Sequence, residues 1–428
     1  MTDLNAAPRP LPWWQAVTAP PRLPEQSLPS ATDVLVVGAG YTGLSAARET
    51  ALAGLTTHVL EAGAIGGGCS GRNGGQVAYS LKPSFAKLSA LHGAERAFAI
   101  CREGFESLAY LRALCREIEC DWRESGCFFG AHTPRHFKRM ALEAQNQPAG
   151  LEQRISVIAR SEQHEEIDSE FYHGGCVYHD DAALDPMKLL IGLLTRACRA
   201  GASVSDGCRA EAVRHTRDGF EVLTSRGMIK ARKVLIATNG YSGPLSPWHR
   251  RRVIPIGSYQ IATAPLGEER VRSLIPRGRN IVDSRRVVVY FRPSTDGERI
   301  IFGGRAALAE RDPLACVPRL RSMLAQILPE LRDVALDHAW VGWVGYTFDT
   351  LPHLGCKDGI HYAMGYCGQG VPLAPYFGMK IGRQIAAAPE ADTALDGLPF
   401  PTRPYYSGRP WFLAPAIWAN ATLDRLGI

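Results

Sequence analysis

The clearest apolar run in the chain follows Asp33, where Val34, Leu35, Val36 and Val37 stand together without a polar interruption. A short continuous run of this kind suits a strand buried on both faces, as in a parallel sheet. Gly38-Ala39-Gly40-Tyr41-Thr42-Gly43 comes next, and Leu44 to Glu49 continues in helix-forming residues. A second strand is predicted over Thr56 to Leu60, closed by Glu61. Further along, Phe105, Leu108, Leu111, Cys115 and Ile118 recur every three or four residues, which predicts an amphipathic helix. Alternation at Gln260 to Thr263 and Val287 to Tyr290, with Gly297 turning before Ile300, predicts antiparallel strands. Val371 to Ile385 predicts a helix whose first turn takes up Pro372 and Pro375. Arg, Glu or Gly interrupts every apolar run before it approaches the ~18 residues of a membrane-spanning helix, so no integral membrane segment is predicted.

Composition narrows the class without naming a function. A chain of 428 residues with 46% hydrophobic and 21% charged residues can bury a sizeable core, and its scattered Gly and Pro exclude collagen-like and disordered classes. The net charge of +6 is mild, and Arg250-Arg251-Arg252 stands alone as a basic run, so nucleic acid is not an expected partner. Eleven cysteines without a Cys-x-x-Cys pair argue against a disulfide framework or a zinc knuckle and favour a reducing, cytoplasmic compartment. His132 and His136 have i,i+4 spacing, but Pro134 lies between them and interrupts a shared helical face, so no metal is predicted. No Gly-x-Ser-x-Gly elbow points to a hydrolase. The proline-rich residues 1–30 read as an extended arm that pins Trp13 and Trp14 onto the surface.

The glycine turn carries more specific chemistry. Gly38 permits the tight turn, Gly40 admits a pyrophosphate to the backbone, and Gly43 lets the helix pack against the strand. Tyr41 and Thr42 open that helix, whose N-terminus offers N–H groups and a positive dipole end to phosphate. Glu61, followed by Ala62, stands about 20 residues on, where a carboxylate accepts both ribose hydroxyls of an adenosine. The segment Gly66-Gly67-Gly68-Cys69-Ser70-Gly71-Arg72-Asn73-Gly74-Gly75-Gln76 then brings backbone close to a flat ligand rich in acceptors, which suits a flavin better than a nicotinamide.

From Ser70 to Gln76 the sequence resembles the FAD-dependent amine oxidases related to D-amino-acid oxidase, and most closely the bacterial γ-glutamylputrescine oxidoreductases. The resemblance extends through Val234 to Tyr241, Tyr290-Phe291-Arg292, Gly303-Gly304-Arg305, Gly345 to Pro352 and Gly365 to Val371. Cys367 and Gln369 stand where the family often has Ser and His, so no role of that His is carried over. Gly342, Trp343 and Val344 replace a tethering Cys, which implies non-covalent FAD.

The resemblance implies an α/β fold, a Rossmann-like FAD-binding domain with an interleaved antiparallel-sheet substrate lobe. Residues 31–80, 170–245 and 335–390 are expected in the FAD domain, 81–169 and 246–334 in the substrate lobe, and 391–428 in a C-terminal extension. The helix through Phe105 and Ile118 is expected on the substrate lobe. Ala210, Thr238 and Asn239 are expected against the cofactor, with Gly368, Gln369, Gly370 and Val371 facing the flavin edge where negative charge collects. Tyr290, Trp340 and Tyr366 are candidate walls for a neutral amine, and Arg292 or Arg72 a partner for a substrate carboxylate or the flavin. Tyr290 and Arg292, two apart on a strand, share a face. The implied reaction is amine oxidation with O2 as acceptor. A D-amino-acid or N-methylglycine-type dehydrogenase with another acceptor is the rival. A pyridine-nucleotide disulfide reductase is excluded by the lack of a second Gly-x-Gly-x-x-Gly and of a redox cysteine pair.

Overall fold

The structure is a computed structural model in which residues 7–78, 81–305, 307 and 312–427 are described. Small parts of the expected arm, first FAD segment, substrate lobe and C-terminal extension fall outside those residues.

Val34 to Val37 are buried and form the centre of the first sheet, in strand Ala31–Val37. Its parallel neighbours are Thr57–Leu60 on one side and Gly227–Ile236 on the other, extended by Ser203–Ser205 and Ile360–Met364. The hairpin Ala210–Thr216 and Gly219–Thr224 and the strand His353–Lys357 complete eight strands. Helices Tyr41–Leu52 and Gly370–Ala386 pack against each other so closely that a Cβ on Gly378 would run into the backbone oxygen of Thr42. Pro375 lies inside the second of these helices rather than in its first turn.

The second sheet has the strand order Leu336–Tyr346, Ile254–Thr263, Ile300–Gly304, Val289–Pro293, Asn280–Asp283, Cys127–Gly130, Gly175–Tyr178 and Ile155–Ile158. It is antiparallel except where Asn280–Asp283 runs parallel to Cys127–Gly130. Its core includes Phe128, Tyr259, Phe291 and Phe302 under the helix Pro313–Ile327.

Three expectations are corrected. Gly175–Tyr178 and Leu336–Tyr346, read as FAD-domain segments, pair in the second sheet. The helix through Phe105 spans Ala94–Glu117, but Leu108, Leu111, Leu114 and Ile118 pack with Val34 and Leu44 in the first sheet's core, not on the substrate lobe. Periodicity gave that helix an apolar face and left open which core it meets. His132 and His136 do come together, their rings 4.7 Å apart, because Pro134 begins a helix and His132 folds back from the loop before it. Both meet Ser284 Oγ, and no metal-binding group is found among the described residues.

The N-terminal arm is a strap. Arg9 N donates to Asp337 O at 2.9 Å and Arg9 O accepts from Ala339 N at 3.0 Å, which adds the arm to the edge of the second sheet. Trp13 and Trp14 are buried in the first sheet's core, and Gln15 Nε2 donates to Gly66 O at 2.7 Å. No helix among the described residues is long and apolar enough to cross a membrane.

Candidate active site

A cavity of about 1490 Å³ lies between the two sheets. Its roof follows the pleat of the second sheet. Ile256, Ser258 and Gln260 line it from one strand, Gly342, Val344 and Tyr346 from the next, and Asn280 with Val282 from a third. Residues two apart share a face, so one face of the sheet is the ceiling.

The floor begins at the glycine turn. Gly38, Gly40, Tyr41, Thr42, Glu61 and Ala62 line the cavity, with Ser70, Arg72, Asn73, Gly74 and Gln76 from the second glycine segment. Tyr41 N donates to Ser70 Oγ at 3.1 Å, and a Cβ on Gly40 would stand 2.9 Å from that oxygen. The N–H groups of Thr42 and Gly43, in the first turn of their helix, have no intrahelical acceptor. Glu61 accepts from Ala39 N at 3.2 Å and Gly63 N at 3.1 Å, and burial raises its pKa above the ordinary glutamate value.

The second glycine segment is fixed to the roof. Arg72 O accepts from Gln260 Nε2 at 2.7 Å and from Trp340 Nε1 at 2.9 Å. Trp340 is therefore a buried clamp outside the cavity rather than one of its walls. Gln76 Nε2 donates to Phe291 O at 3.0 Å, and Asn73 Oδ1 accepts from Gly75 N at 2.9 Å.

Ala210, Thr238, Asn239, Tyr366, Gly368, Gln369, Gly370 and Val371 line the same cavity. Asn239 and Cys367 adopt positive φ, of 43° and 52°, a costly conformation for residues with a Cβ and one that collects at functional sites. Asn239 Oδ1 accepts from Gly365 N at 2.9 Å, which ties the first-sheet turn to the loop before the helix Gly370–Ala386. Gln369 caps that helix, so its free N–H groups face the cavity. Tyr366 Oη and Thr42 Oγ1 are 2.7 Å apart, and Tyr290 Oη and Ser258 Oγ 2.5 Å apart, which fixes both rings. Burial pushes both phenol pKa values up, and that of Tyr346 to about 12.

Four of the expected site residues stand behind the cavity wall. Gly43 packs its helix against the turn, where a Cβ would run into Gly38 O. Gly71 crosses Gly66, and Gly75, at φ 65°, leaves no room for a Cβ beside Leu184 O. Arg292 shares the face of Tyr290 as expected, but it is only 3% exposed. Its guanidinium donates to Gly75 O at 3.3 Å and Leu184 O at 2.9 Å and stacks 4.9 Å from the Trp14 ring. The substrate-anchor role is thus corrected: Arg292 is a clamp on the cofactor loop.

The sequence reading missed residues that close the far side. Leu413, Ala416, Ile417 and Asn420, spaced i, i+3, i+4, i+7 on helix Leu413–Leu426, line the cavity from the C-terminal extension. Their helical period was the available signal. Asp424 secures this helix by accepting from Arg286 N at 2.8 Å and Val287 N at 3.0 Å. Phe129, Tyr178, Asp181 and Lys82 also line the cavity.

A cavity of this size, built on a strand–glycine turn–helix unit with an acid after the second strand, defines a dinucleotide-binding enzyme. The chain belongs to the FAD dependent oxidoreductase family, whose model matches residues 33–384. It is 33% identical over 391 residues to a probable oxidoreductase OrdL of Rhizobium meliloti (strain 1021), covering 89% of this chain and 90% of that protein. It is 30% identical over 403 residues to a gamma-glutamylputrescine oxidoreductase of Escherichia coli (strain K12), covering 92% and 93%. Among solved structures it resembles glycine oxidase from Geobacillus kaustophilus, with a TM-score of 0.72 and 19% identity over 88% of this chain and all of that one.

This protein is accordingly an FAD-dependent oxidoreductase, and its residues fit the cofactor. The turn admits backbone only, the first helical turn holds unpaired donors, and Glu61 faces the cavity as an acceptor. Arg72 Nε is buried without a partner, a donor that an acceptor-rich ring satisfies.

Proposed function

We propose that this protein oxidises a primary or secondary amine, with γ-glutamyl amines as its substrate class, to the imine or aldehyde, and that O2 is the electron acceptor. The observation that carries this reading is the enclosure of one cavity by the cofactor cradle and by three aromatic side chains, Tyr290, Tyr346 and Tyr366, the first and last fixed by hydrogen bonds. The name of the Escherichia coli relative supports the substrate class.

Bound FAD supplies the acceptor for a hydride from the carbon beside nitrogen, and its reoxidation by O2 yields hydrogen peroxide. The chain supplies the setting. Glu61 would hold the ribose, and the helix N-terminus with the N–H group of Thr42 would hold pyrophosphate. The helix N-terminus at Gln369, Gly370 and Val371 places donors where negative charge accumulates, a preorganised stabilisation that needs no rearrangement during reaction. The tyrosine hydroxyls are neutral at pH 7 and burial raises their pKa values further, so this wall offers no anion to pair with an ammonium and admits the free amine. The second glycine segment is bound to the roof through Arg72 O, which holds the cofactor cradle in register with the second sheet.

Anaerobic mixing with polyamines, γ-glutamyl amines and D-amino acids tests the proposal, read as bleaching of flavin absorbance. Bleaching by a γ-glutamyl amine followed by rapid recovery in air is the expected result. Bleaching by D-amino acids alone, or slow recovery in air, would refute it in favour of a dehydrogenase.

A further inference from the structure

Asp181 is the cavity residue that the reaction leaves unexplained. It follows strand Gly175–Tyr178, lines the cavity and is only 5% exposed. Among the described residues, no donor is found on its carboxylate. Its neighbour Asp180 is paired with Arg154, and Arg112, which reaches Asp180 O, is paired with Glu124. Tyr178 and Cys127 face it from adjacent strands, and Arg279, beyond Cys127, is held by Glu166 at 2.6 Å. Asn280 stands beside it. The Asn280 amide nitrogen donates to Ala182 O at 2.7 Å, which leaves Oδ1 as the free atom, and that oxygen is buried without a partner. Asn280 is 1% exposed and also lines the cavity.

Two buried acceptors with no donor are costly unless a ligand completes them, and a carboxylate most of all. A cation with several N–H donors satisfies both. The register places this pair relative to the aromatic wall: Val282 is opposite Tyr290, and Asn280 lies two residues further along the same strand. One strand spacing and two residue rises put it roughly 8 Å from Tyr290 along the sheet.

We propose that Asp181 and Asn280 form a subsite for a second, positively charged amino group of the substrate, roughly 8 Å along the sheet from the aromatic wall at Tyr290. The inference rests on the amine reading and sharpens it: the substrate is an amine with an ammonium at its far end, as in a diamine or the amino-acid end of a γ-glutamyl amine. The Asp181 carboxyl answers to the ligand. Burial, with Asp180 adding repulsion, raises its pKa to about 8. It is therefore mostly protonated at pH 7 when unpaired, and pairing with an ammonium expels that proton.

The test compares 1,6-diaminohexane with 1-aminohexane on the FAD-loaded protein by isothermal titration at pH 7 in two buffers of different ionisation enthalpy. The diamine is expected to bind at least tenfold more tightly and to release more protons per site than 1-aminohexane. Asp181→Asn is expected to abolish that preference while leaving 1-aminohexane binding unchanged. Equal affinities in the unmodified protein, or a preference that survives in Asp181→Asn, would overturn the subsite. If the variant loses FAD, the proton-release difference in the unmodified protein decides, and no difference overturns it. Failure of the amine reading looks different, since neither compound then bleaches the flavin; failure of the subsite leaves both bleaching it with the same KM.

Discussion

Replacing Arg292 by alanine separates a structural clamp from a substrate anchor. The guanidinium is fully enclosed, holds Gly75 O and Leu184 O, and has the Trp14 ring as its third neighbour. Truncation leaves Leu184 O without a donor at about 1–3 kcal/mol, strips Gly75 O of one of its two donors, since the Leu184 N–H remains on it at 2.9 Å, and removes a cation–π contact worth about 0.5–2 kcal/mol. Burying the charge is itself expensive: desolvation lowers the Arg292 pKa to about 9, and its removal offsets part of the loss. The net expectation is a destabilisation of about 1–3 kcal/mol, with weaker FAD retention because Gly75 belongs to the cofactor loop. Arg292→Met, which fills the space without a charge, should recover part of the loss. Thermal unfolding of the FAD-loaded protein measures the first effect, and the ratio of KM values for a carboxylate-bearing amine and its counterpart without the carboxylate measures the second. That ratio should stay within about twofold, whereas an anchor worth about 1.5–3 kcal/mol would move it about 10- to 150-fold. A selective tenfold rise in KM with unchanged melting would refute the clamp.

Further outcomes follow from the cofactor cradle. Gly43→Ala drives a Cβ into backbone and should cost about 1–3 kcal/mol or more and release FAD, whereas Gly63→Ala, with no protein atom near its Cβ, should melt like the unmodified protein. Glu61→Gln should weaken FAD binding by about 1–3 kcal/mol, read by fluorescence quenching during titration of apoprotein. In the unmodified protein, FAD affinity should fall as pH drops through the raised Glu61 pKa, because protonation removes an acceptor from the ribose; a flat profile there would assign the ribose to another group. Acid precipitation should leave yellow FAD in the supernatant, since burial raises the pKa of Cys69, the cysteine facing Gly342, to about 11 and suppresses the thiolate a tether needs. Flavin in the pellet would show a covalent link.

Local pattern carried the parts of the fold that are local. The run Val34 to Val37, the glycine turn and Glu61 occur within one strand–helix–strand unit, so spacing alone placed them. Strand Leu336–Tyr346 was assigned to the wrong sheet because its partner, Ile254–Thr263, is some 80 residues away and nothing in its alternation names that partner. The Ala94–Glu117 helix failed in the same way. For Arg292 the period of two gave the correct face, but that face is open cavity at Tyr290 and covered by Gly75, Leu184 and Trp14 one pleat further on. Asp181 had no motif at all, and only the packing of Asn280 against Ala182 O reveals it.

The N-terminal strap carries a consequence for the order in which the molecule is assembled. Arg9 and its partner His338 are 329 residues apart in sequence. At ~5–20 residues per second, a ribosome that has made the strap needs roughly 15–65 s to make the strand it docks on. Closing such a loop in an unstructured chain costs about 5 kcal/mol of entropy, and far less once both sheets have formed and only the short stretch after Val17 remains to be ordered. The strap is therefore expected to seat after the strand it docks on has formed, with Trp13 and Trp14 buried only at that step. Refolding should show a late tryptophan fluorescence phase that Trp14→Phe diminishes, and FAD capture should follow that phase, since Gln15 secures the Gly66 loop only when the strap is in place.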